Sequence, residues 1–327
     1  MLTIRPFRYD DADYTALITI DSALFPDTLM SIAEWQHRDA TRPANEFFGR
    51  DMVERDGVAV AFGEYGQPPS EQDHDRYYFY ILVHPERDQP DVRPFYLQHV
   101  LNVLAERGSE HKPAALTTGA LSDRTTDIAF FKAHGFSEAM REPFSELDVT
   151  TFDAAPFAAI TERVQATGVR IVSLAELQRT DPNWEQAIYD LHWALMQDVP
   201  ATLTHTQPSR EEFAQHTLNG PTFDVAGWFV ALDGDCYVGM SRGWVNISDP
   251  AQFVNNLTGV IRDYRRRGIA TALKLRLIDY ARQQGTQTIS TSNEAYNPMF
   301  ELNAKLGFQP RPAWVSFEKQ LQRKKKQ

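Results

Sequence analysis

The sequence is poor in the features that mark secreted, metal-binding and membrane-spanning proteins. Cys236 is the only cysteine in 327 residues, which excludes an internal disulfide framework and a zinc site built from several cysteines. No apolar run is long enough to span a membrane, and the first residues form neither a basic nor an apolar signal segment. We therefore expect a cytoplasmic protein with no membrane segment and no metal site.

Positive charge is also in short supply. The net charge of −11 argues against a nucleic-acid partner, because binding to a phosphate backbone requires a broad basic surface. Neither the P-loop pattern GxxxxGK(S/T) nor the dinucleotide pattern GxGxxG occurs. Basic residues are concentrated at a C-terminal run, which we interpret as a solvated end, and in one internal cluster, Arg262, Arg265, Arg266 and Arg267.

The order of secondary-structure signals occurs twice along the chain. Each half opens with an extended segment, continues through β-branched and aromatic runs and an amphipathic helix, and ends in a short helix stopped by Gly-Phe. Phe136 and Phe308 lie 172 positions apart, and the opening strands give a similar offset of 167 between Ile4 and Ile171. The pattern predicts an internal duplication. We predict a first domain at 1–150, a linker at 151–166, a second domain at 167–320 and a basic tail at 321–327.

The arginine cluster lies between a predicted strand and a predicted helix. A helix start leaves backbone N–H groups unpaired and carries partial positive charge, and Gly268 permits close approach of a ligand to the backbone. Apolar residues at Ile269, Leu273, Leu277 and Ala281 give the helix one buried face. The residue types fit a phosphate-binding turn and a solvated basic loop equally well.

A second motif follows this helix. Residues 288–291 are predicted to form a strand, and a short helix is predicted to begin with Asn297 as its cap and Pro298 in its first turn. Capping alone accounts for Asn297, although a polar side chain at this position can also contact a ligand.

Together these two segments resemble the GNAT family of N-acetyltransferases. Residues 265–270 match the family's cofactor motif Gln/Arg-x-x-Gly-x-Gly/Ala, and the segment from Asn297 to the Leu-Gly-Phe ending at Phe308 follows at the expected distance. The resemblance covers residues 168–318 well and 2–149 in outline. It implies an α/β (α+β) fold of two tandem GNAT-like domains, each a mixed, mostly antiparallel twisted sheet with helices on both faces.

The resemblance also implies acetyl-CoA as the cofactor and CoA as the product. Backbone groups of Val260 and Arg262 would bind the pantetheine arm, the N–H groups of residues 266–271 would bind the pyrophosphate, and Asn293 and Asn297 would line the thioester end. The expected cofactor-binding residues are Val260, Ile261, Arg262, Arg265, Arg266, Arg267, Gly268, Ile269, Ala270, Thr271, Asn293, Asn297 and Met299.

The first half departs from this motif. Its segment from His84 to Phe95 lacks glycine, and Pro90 and Pro94 have no N–H group to offer a phosphate. We predict that the first domain has lost cofactor binding and serves to shape the acceptor cleft or to stabilise the pair of domains.

The family acetylates amines by direct attack in a ternary complex, and an ammonium ion must first lose a proton. A tyrosine that reprotonates the leaving thiolate in many members is replaced here by Asn303, so we name Tyr296 as the candidate acid. Asn255 and Asn256 replace a basic glutamate, which indicates a water-mediated route. Asp198 and His205 are the candidate bases, whereas His192 is interpreted as a core residue.

We therefore expect an acyl-CoA-dependent N-acyltransferase that acetylates a primary amine of a small molecule or peptide. The alternative is a catalytically silent CoA-binding module, because both usual proton-transfer residues are missing. A nucleic-acid-binding protein is disfavoured by the charge. The duplication is compatible with a monomer or a homodimer.

Overall fold

The computed structural model describes residues 1–25, 30–43, 46–68, 75–107, 113–202 and 204–321. The prediction of a basic tail therefore lies outside the described residues, apart from position 321. The chain divides into two compact units: a first unit made of Met1–Arg141, Ala201–Thr206 and Ala313–Gln327, and a second unit made of Glu142–Pro200 and Gln207–Pro312.

The first repeat of the chain contains six strands and four helices. They are β1 (Leu2–Pro6), α1 (Asp11–Leu24), α2 (Ile32–Ala40), β2 (Phe48–Arg55), β3 (Val58–Gly66), β4 (Arg76–Val83), α3 (Val92–Glu106), β5 (Ala115–Leu121), α4 (Thr125–Ala133) and β6 (Ser137–Asp148). A helix α5 (Ala158–Ala166) follows, where a linker was predicted.

The second repeat has the same order of elements, with one short additional helix. It contains β7 (Arg170–Ser173), α6 (Leu174–Thr180), α7 (Trp184–Met196), α8 (Arg210–Phe213), β8 (Trp228–Asp233), β9 (Cys236–Val245), β10 (Gln252–Val260), α9 (Ile269–Gln283), β11 (Thr288–Ser292), α10 (Pro298–Lys305) and β12 (Gln309–Gln320). The shared order confirms the predicted tandem architecture.

The last strand of each repeat is exchanged. In the first unit the strand order is β1-β2-β3-β4-β5-β12, and in the second unit it is β6-β11-β10-β9-β8-β7. Residues 314–320 of β12 pair antiparallel with β5, and residues 144–148 of β6 pair antiparallel with β11. The two units consequently differ from the predicted domains. Strands β6 and β12 have the same place in their repeats, and hydropathy does not indicate which of the two sheets each strand joins.

Each sheet is antiparallel except at one pair, β4–β5 in the first unit and β10–β11 in the second. In the second unit, alternate residues of β8 and β9 face two different buried clusters. Phe229 and Val238 pack with α9 and α5 on one face, and Trp228 and Met240 pack with α6 and α7 on the other. The mixed, mostly antiparallel sheet with helices on both faces confirms the predicted fold class.

Candidate active site

Strands β10 and β11 separate soon after they meet. They pair in parallel at only three positions, Gln252–Val254 against Thr288–Ser290. Beyond Val254, β10 continues to Val260 along β9, with a bulge between Asn255 and Leu257. One edge of β10 therefore borders a gap in the sheet, where its backbone groups are available to an extended ligand.

The turn that follows β10 places the start of α9 beside this gap. Gly268 has φ 88° and Arg266 has φ 63°, two left-handed positions within three residues. No side chain caps α9, and among the described residues none of the N–H groups of 266–271 finds a hydrogen-bond acceptor. A row of unpaired donors at a helix start is a binding site for an anion.

Gly268 is required for a second reason besides its positive φ. A Cβ atom added at this position would lie 2.8 Å from Ile160 Cγ2 of α5, closer than packed carbon atoms approach. The predicted linker segment thus packs against the turn and excludes any side chain there. Substitutions at Gly268 would disturb both the fold and the turn, so they are poor probes of cofactor binding.

The arginine cluster is assembled as predicted, but several of its members are engaged within the protein. Arg262 and Arg265 both form ion pairs with Asp198, which follows α7. Arg265 Nε also donates to the Val260 carbonyl at 2.9 Å. Arg267 donates to the Asp263 carbonyl at 2.8 Å. Arg266 is exposed and has no hydrogen bond or ion pair within the described parts of the chain.

Asp198 is held as a carboxylate by these contacts. Hydrogen bonds from Arg262 and Arg265 and the positive charges of both lower its pKa to about 2. A carboxylate with so low a pKa is a weak proton acceptor at neutral pH, so the geometry favours a role in anchoring the two arginines over the predicted role as a base.

The other predicted cofactor residues lie around the turn and the gap. Ile261 donates its N–H to Val238 of β9 at 3.0 Å, and Ile269, Ala270 and Thr271 form the first turn of α9. Asn297 caps α10 as predicted, accepting from the Met299 N–H at 2.9 Å. Asn293 accepts from Asn303 Nδ2 at 2.6 Å, and Asn303 Oδ1 is buried with no partner among the described residues.

The remaining catalytic candidates lie in different settings. Tyr296, between β11 and α10, is 93% exposed and donates its N–H to Glu294. His205 lies in the segment 201–206, which belongs to the first unit. Burial and the charge of Arg242 lower the pKa of His192 to about 3, and its ring contacts Phe213, consistent with the core role predicted for it.

Sequence reasoning missed a buried polar network behind the gap. Lys274 of α9 is 1% exposed and donates from Nζ to Asn255 Oδ1 at 2.6 Å. Asn255 Nδ2 in turn donates to the Arg242 carbonyl at 3.0 Å and to Thr258 Oγ1 at 3.3 Å. Burial lowers the pKa of Lys274 to about 7. Asn255, one of the two residues at the expected glutamate position, therefore accepts a hydrogen bond from a buried amine.

The described residues contain no helix long and apolar enough to cross a membrane. They also contain no group of three or more histidine, cysteine, aspartate or glutamate side chains arranged to hold a metal ion.

Comparison with known proteins agrees with this architecture. Residues 186–308 match the model of the acetyltransferase (GNAT) family. No curated protein sequence matches the chain. A tandem GNAT protein from the clavulanic acid biosynthesis pathway has a similar structure, with a TM-score of 0.75 and 18% identity over 98% of both chains.

A GCN5-related N-acetyltransferase from Sphaerobacter thermophilus is also similar, with a TM-score of 0.70 and 17% identity over 98% of this chain and 95% of that one. At such low identity these two structures show a shared fold. Residues 186–308 therefore resemble the GNAT acetyltransferase family, and the chain shares its two-repeat fold with a tandem GNAT protein.

Proposed function

We propose that the protein is an N-acetyltransferase that uses acetyl-CoA to acetylate a primary amine of a small molecule or peptide by direct attack in a ternary complex. The observation that carries this proposal is the uncapped start of α9, where the N–H groups of residues 266–271 lie beside the gap between β10 and β11. The family match at 186–308 covers both features.

The residues present suit each part of acetyl-CoA. The start of α9 supplies donors for the pyrophosphate, and Arg266 adds a charge that no described residue neutralises. The free edge of β10 up to Val260 suits the amides of the pantetheine arm. Asn303 lies beside Asn293, and its buried Oδ1, which has no partner among the described residues, offers a further acceptor. The proposed set remains Val260–Arg262, Arg265–Thr271, Asn293, Asn297 and Met299.

Acetyl-CoA would supply the thioester carbonyl that the amine attacks. The chain's own part is to orient the reactants and to move protons. We propose Tyr296 as the proton donor to the leaving group, because its phenol is exposed at the β11–α10 loop. His205 remains the predicted base. The side-chain amides of Asn255 and Asn256 do not accept a proton at neutral pH, so neither substitutes for a glutamate base.

The corresponding turn in the first unit supports the proposal that this unit does not bind the cofactor. Asp91 precedes α3, and Arg93 at its first turn is engaged by Asp88 and Asp127. Carboxylates thus surround the helix start where an anion would have to bind. We propose that the first unit has a structural or acceptor-shaping role.

Thermal unfolding with acetyl-CoA, CoA and ATP tests the cofactor site. We expect both CoA compounds, and not ATP, to raise the melting temperature. Arg266→Glu places a negative charge at the turn without breaking any ion pair of the described residues, and it should weaken acetyl-CoA binding at least about tenfold. Arg276→Glu, on the exposed side of the same helix, is the control and should bind normally. Equal binding by both variants would refute the site.

Turnover separates the enzyme from a silent binding module. Release of free CoA thiol should depend on an added amine if the protein is a transferase. Stabilisation by acetyl-CoA with no thiol release across a broad amine panel would instead support the silent module.

A further inference from the structure

Arg242 is a positively charged side chain without a negatively charged partner. It lies on β9, on the sheet face that packs against α6 and α7, as Trp228 and Met240 do. Its Nε donates to Asn256 Oδ1 at 2.9 Å, and its Cζ lies 5.0 Å from the centre of the Trp228 ring. Within the described ranges it forms no ion pair, and its two terminal nitrogens donate to no acceptor.

The environment of Arg242 makes this lack of a partner costly. Burial alone lowers its pKa, to about 10, so the guanidinium remains charged at neutral pH while much of its hydration is lost. The positive charge of Arg242 helps to lower the pKa of His192 to about 3, so His192 is neutral at pH 7. A charge that has lost much of its hydration is normally paired, and no carboxylate of the described residues pairs with this one.

Arg242 lines a cavity of about 130 Å³ inside the second unit. Aromatic and polar side chains line the same cavity: Phe223, Trp228, Trp244, Thr217, Thr222 and His216. Asp224 also lines it, but its carboxylate already accepts from the Tyr280 hydroxyl at 2.8 Å and the Ala226 N–H at 2.9 Å. Arg242 is the arginine among these lining residues, so a negatively charged group of a small ligand would bind on its side of the cavity.

We propose that Arg242 binds a carboxylate group of the amine acceptor, so that the substrates are small amines of the amino-acid type. This inference rests on the proposed acetyltransferase function. A planar carboxylate matches the two parallel N–H bonds that a guanidinium offers. Through Asn256, Arg242 is attached to the bulge of β10, the strand that borders the gap. An acceptor held by its carboxylate would thus lie beside that strand.

The test compares amino acids with their carboxamides, which retain the amine and lose the negative charge, and with aminophosphonates. Titration calorimetry on the free protein and on the CoA complex measures binding, and thiol release with acetyl-CoA gives kcat/KM. We expect the free acids to bind at least about tenfold more tightly than the amides. A preference for the phosphonates over the acids would overturn the assignment to a carboxylate.

Arg242→Met keeps an aliphatic side chain on Trp228 and removes the charge, and it should bring the acid-to-amide ratio close to one. Arg242→Lys keeps the positive charge and should retain part of the preference for acids over amides. It therefore controls for a folding defect in Arg242→Met. Arg276→Met is the matched control, because Arg276 also stacks on an aromatic ring, that of Phe229, and should keep the full ratio.

Three results would overturn the site: amides that bind as well as acids, an unchanged ratio in Arg242→Met, or no binding of either form to the CoA complex. A different failure would concern the enzyme itself. If the acids bind in an Arg242-dependent manner and no CoA compound binds, the anion site stands and the acetyltransferase function is wrong.

Discussion

At the scale of single residues, the second unit holds one buried cation, Lys274 of α9, and one half-buried cation, Arg242 of β9. They lie on opposite sides of the same sheet, and each donates to an asparagine of β10, Asn255 and Asn256 respectively. An amide oxygen accepts a hydrogen bond without neutralising the charge. Each cation therefore keeps an electrostatic cost of burial that a carboxylate would have reduced.

The pH dependence of stability should reveal Lys274. Its folded-state pKa is about 7, below the ordinary 10.5. Between these values the unfolded chain binds more protons than the folded one, so the free energy of unfolding should rise with pH. From pH 7 to pH 9 the rise should reach up to about 2 kcal/mol.

Urea unfolding of the wild type and Lys274→Met at both pH values measures this contribution. We expect the variant to lack most of the rise, because methionine has a similar shape and no titrating group. The same slope in both proteins would show that Lys274 is charged and solvated in the folded state.

The sequence predicts the apolar face of α9 but not Lys274 at its centre. Ile269, Leu273, Leu277 and Ala281 are all buried, as their spacing indicates. A lysine next to Leu273 is read as solvent-facing from hydropathy alone. Its burial depends on Asn255, which comes 19 positions earlier on β10, so local patterning contains no signal for it.

At the scale of elements, ion pairs connect the end of α7 to the turn before α9. Asp198 binds Arg262 and Arg265 together, and Arg265 reaches back to the Val260 carbonyl. The turn proposed to bind phosphate and helix α7 are therefore connected through one carboxylate. In that proposal, the carboxylate would also compete with the pyrophosphate for the same two arginines.

Asp198→Asn distinguishes two roles of Asp198: holding the two arginines and acting as the general base. Removing the negative charge should leave kcat within about tenfold of the wild type and should strengthen acetyl-CoA binding, most clearly at low salt. Loss of a general base would instead lower kcat by about 10² to 10⁴. Steady-state kinetics at two ionic strengths distinguish these outcomes, and a drop in kcat of the larger size would restore Asp198 as the base.

Element types and order could be predicted for the second repeat, and so could the Asn297 cap and the turn at Gly268, because each depends on neighbours in sequence. The contact of Ile160 with Gly268 could not, because a short helix between two repeats has a weak signature. The ion pairs of Asp198 bring together positions more than sixty residues apart and have no local signal.

At the scale of the whole molecule, each unit is completed by a strand from the other repeat. Phe317 of β12 is fully buried in the core of the first unit, with its ring 5.7 Å from that of Phe131. Leu147 of β6 is buried in the core of the second unit. Sequence position alone would assign both residues to the opposite unit.

Paired substitutions make this exchange testable by hydrogen exchange. Phe317→Ala should reduce protection in β4 and β5, and Leu147→Ala should reduce it in α9 and β11, each by about 2 to 5 kcal/mol of local stability. Each variant serves as the control for the other. Protection lost mainly in the repeat that contains the substitution would contradict the exchange.

The exchange has a consequence for synthesis on the ribosome. The Ser122 N–H, just after β5, donates to the Ala313 carbonyl, a partner 191 positions later in the chain. At ordinary translation speeds that interval lasts on the order of 10 s. Throughout it the edge of β5 in the emerging first repeat has no partner strand, and such an edge can pair with a neighbouring nascent chain. We therefore expect the polypeptide to need chaperones to remain monomeric until β12 is synthesised.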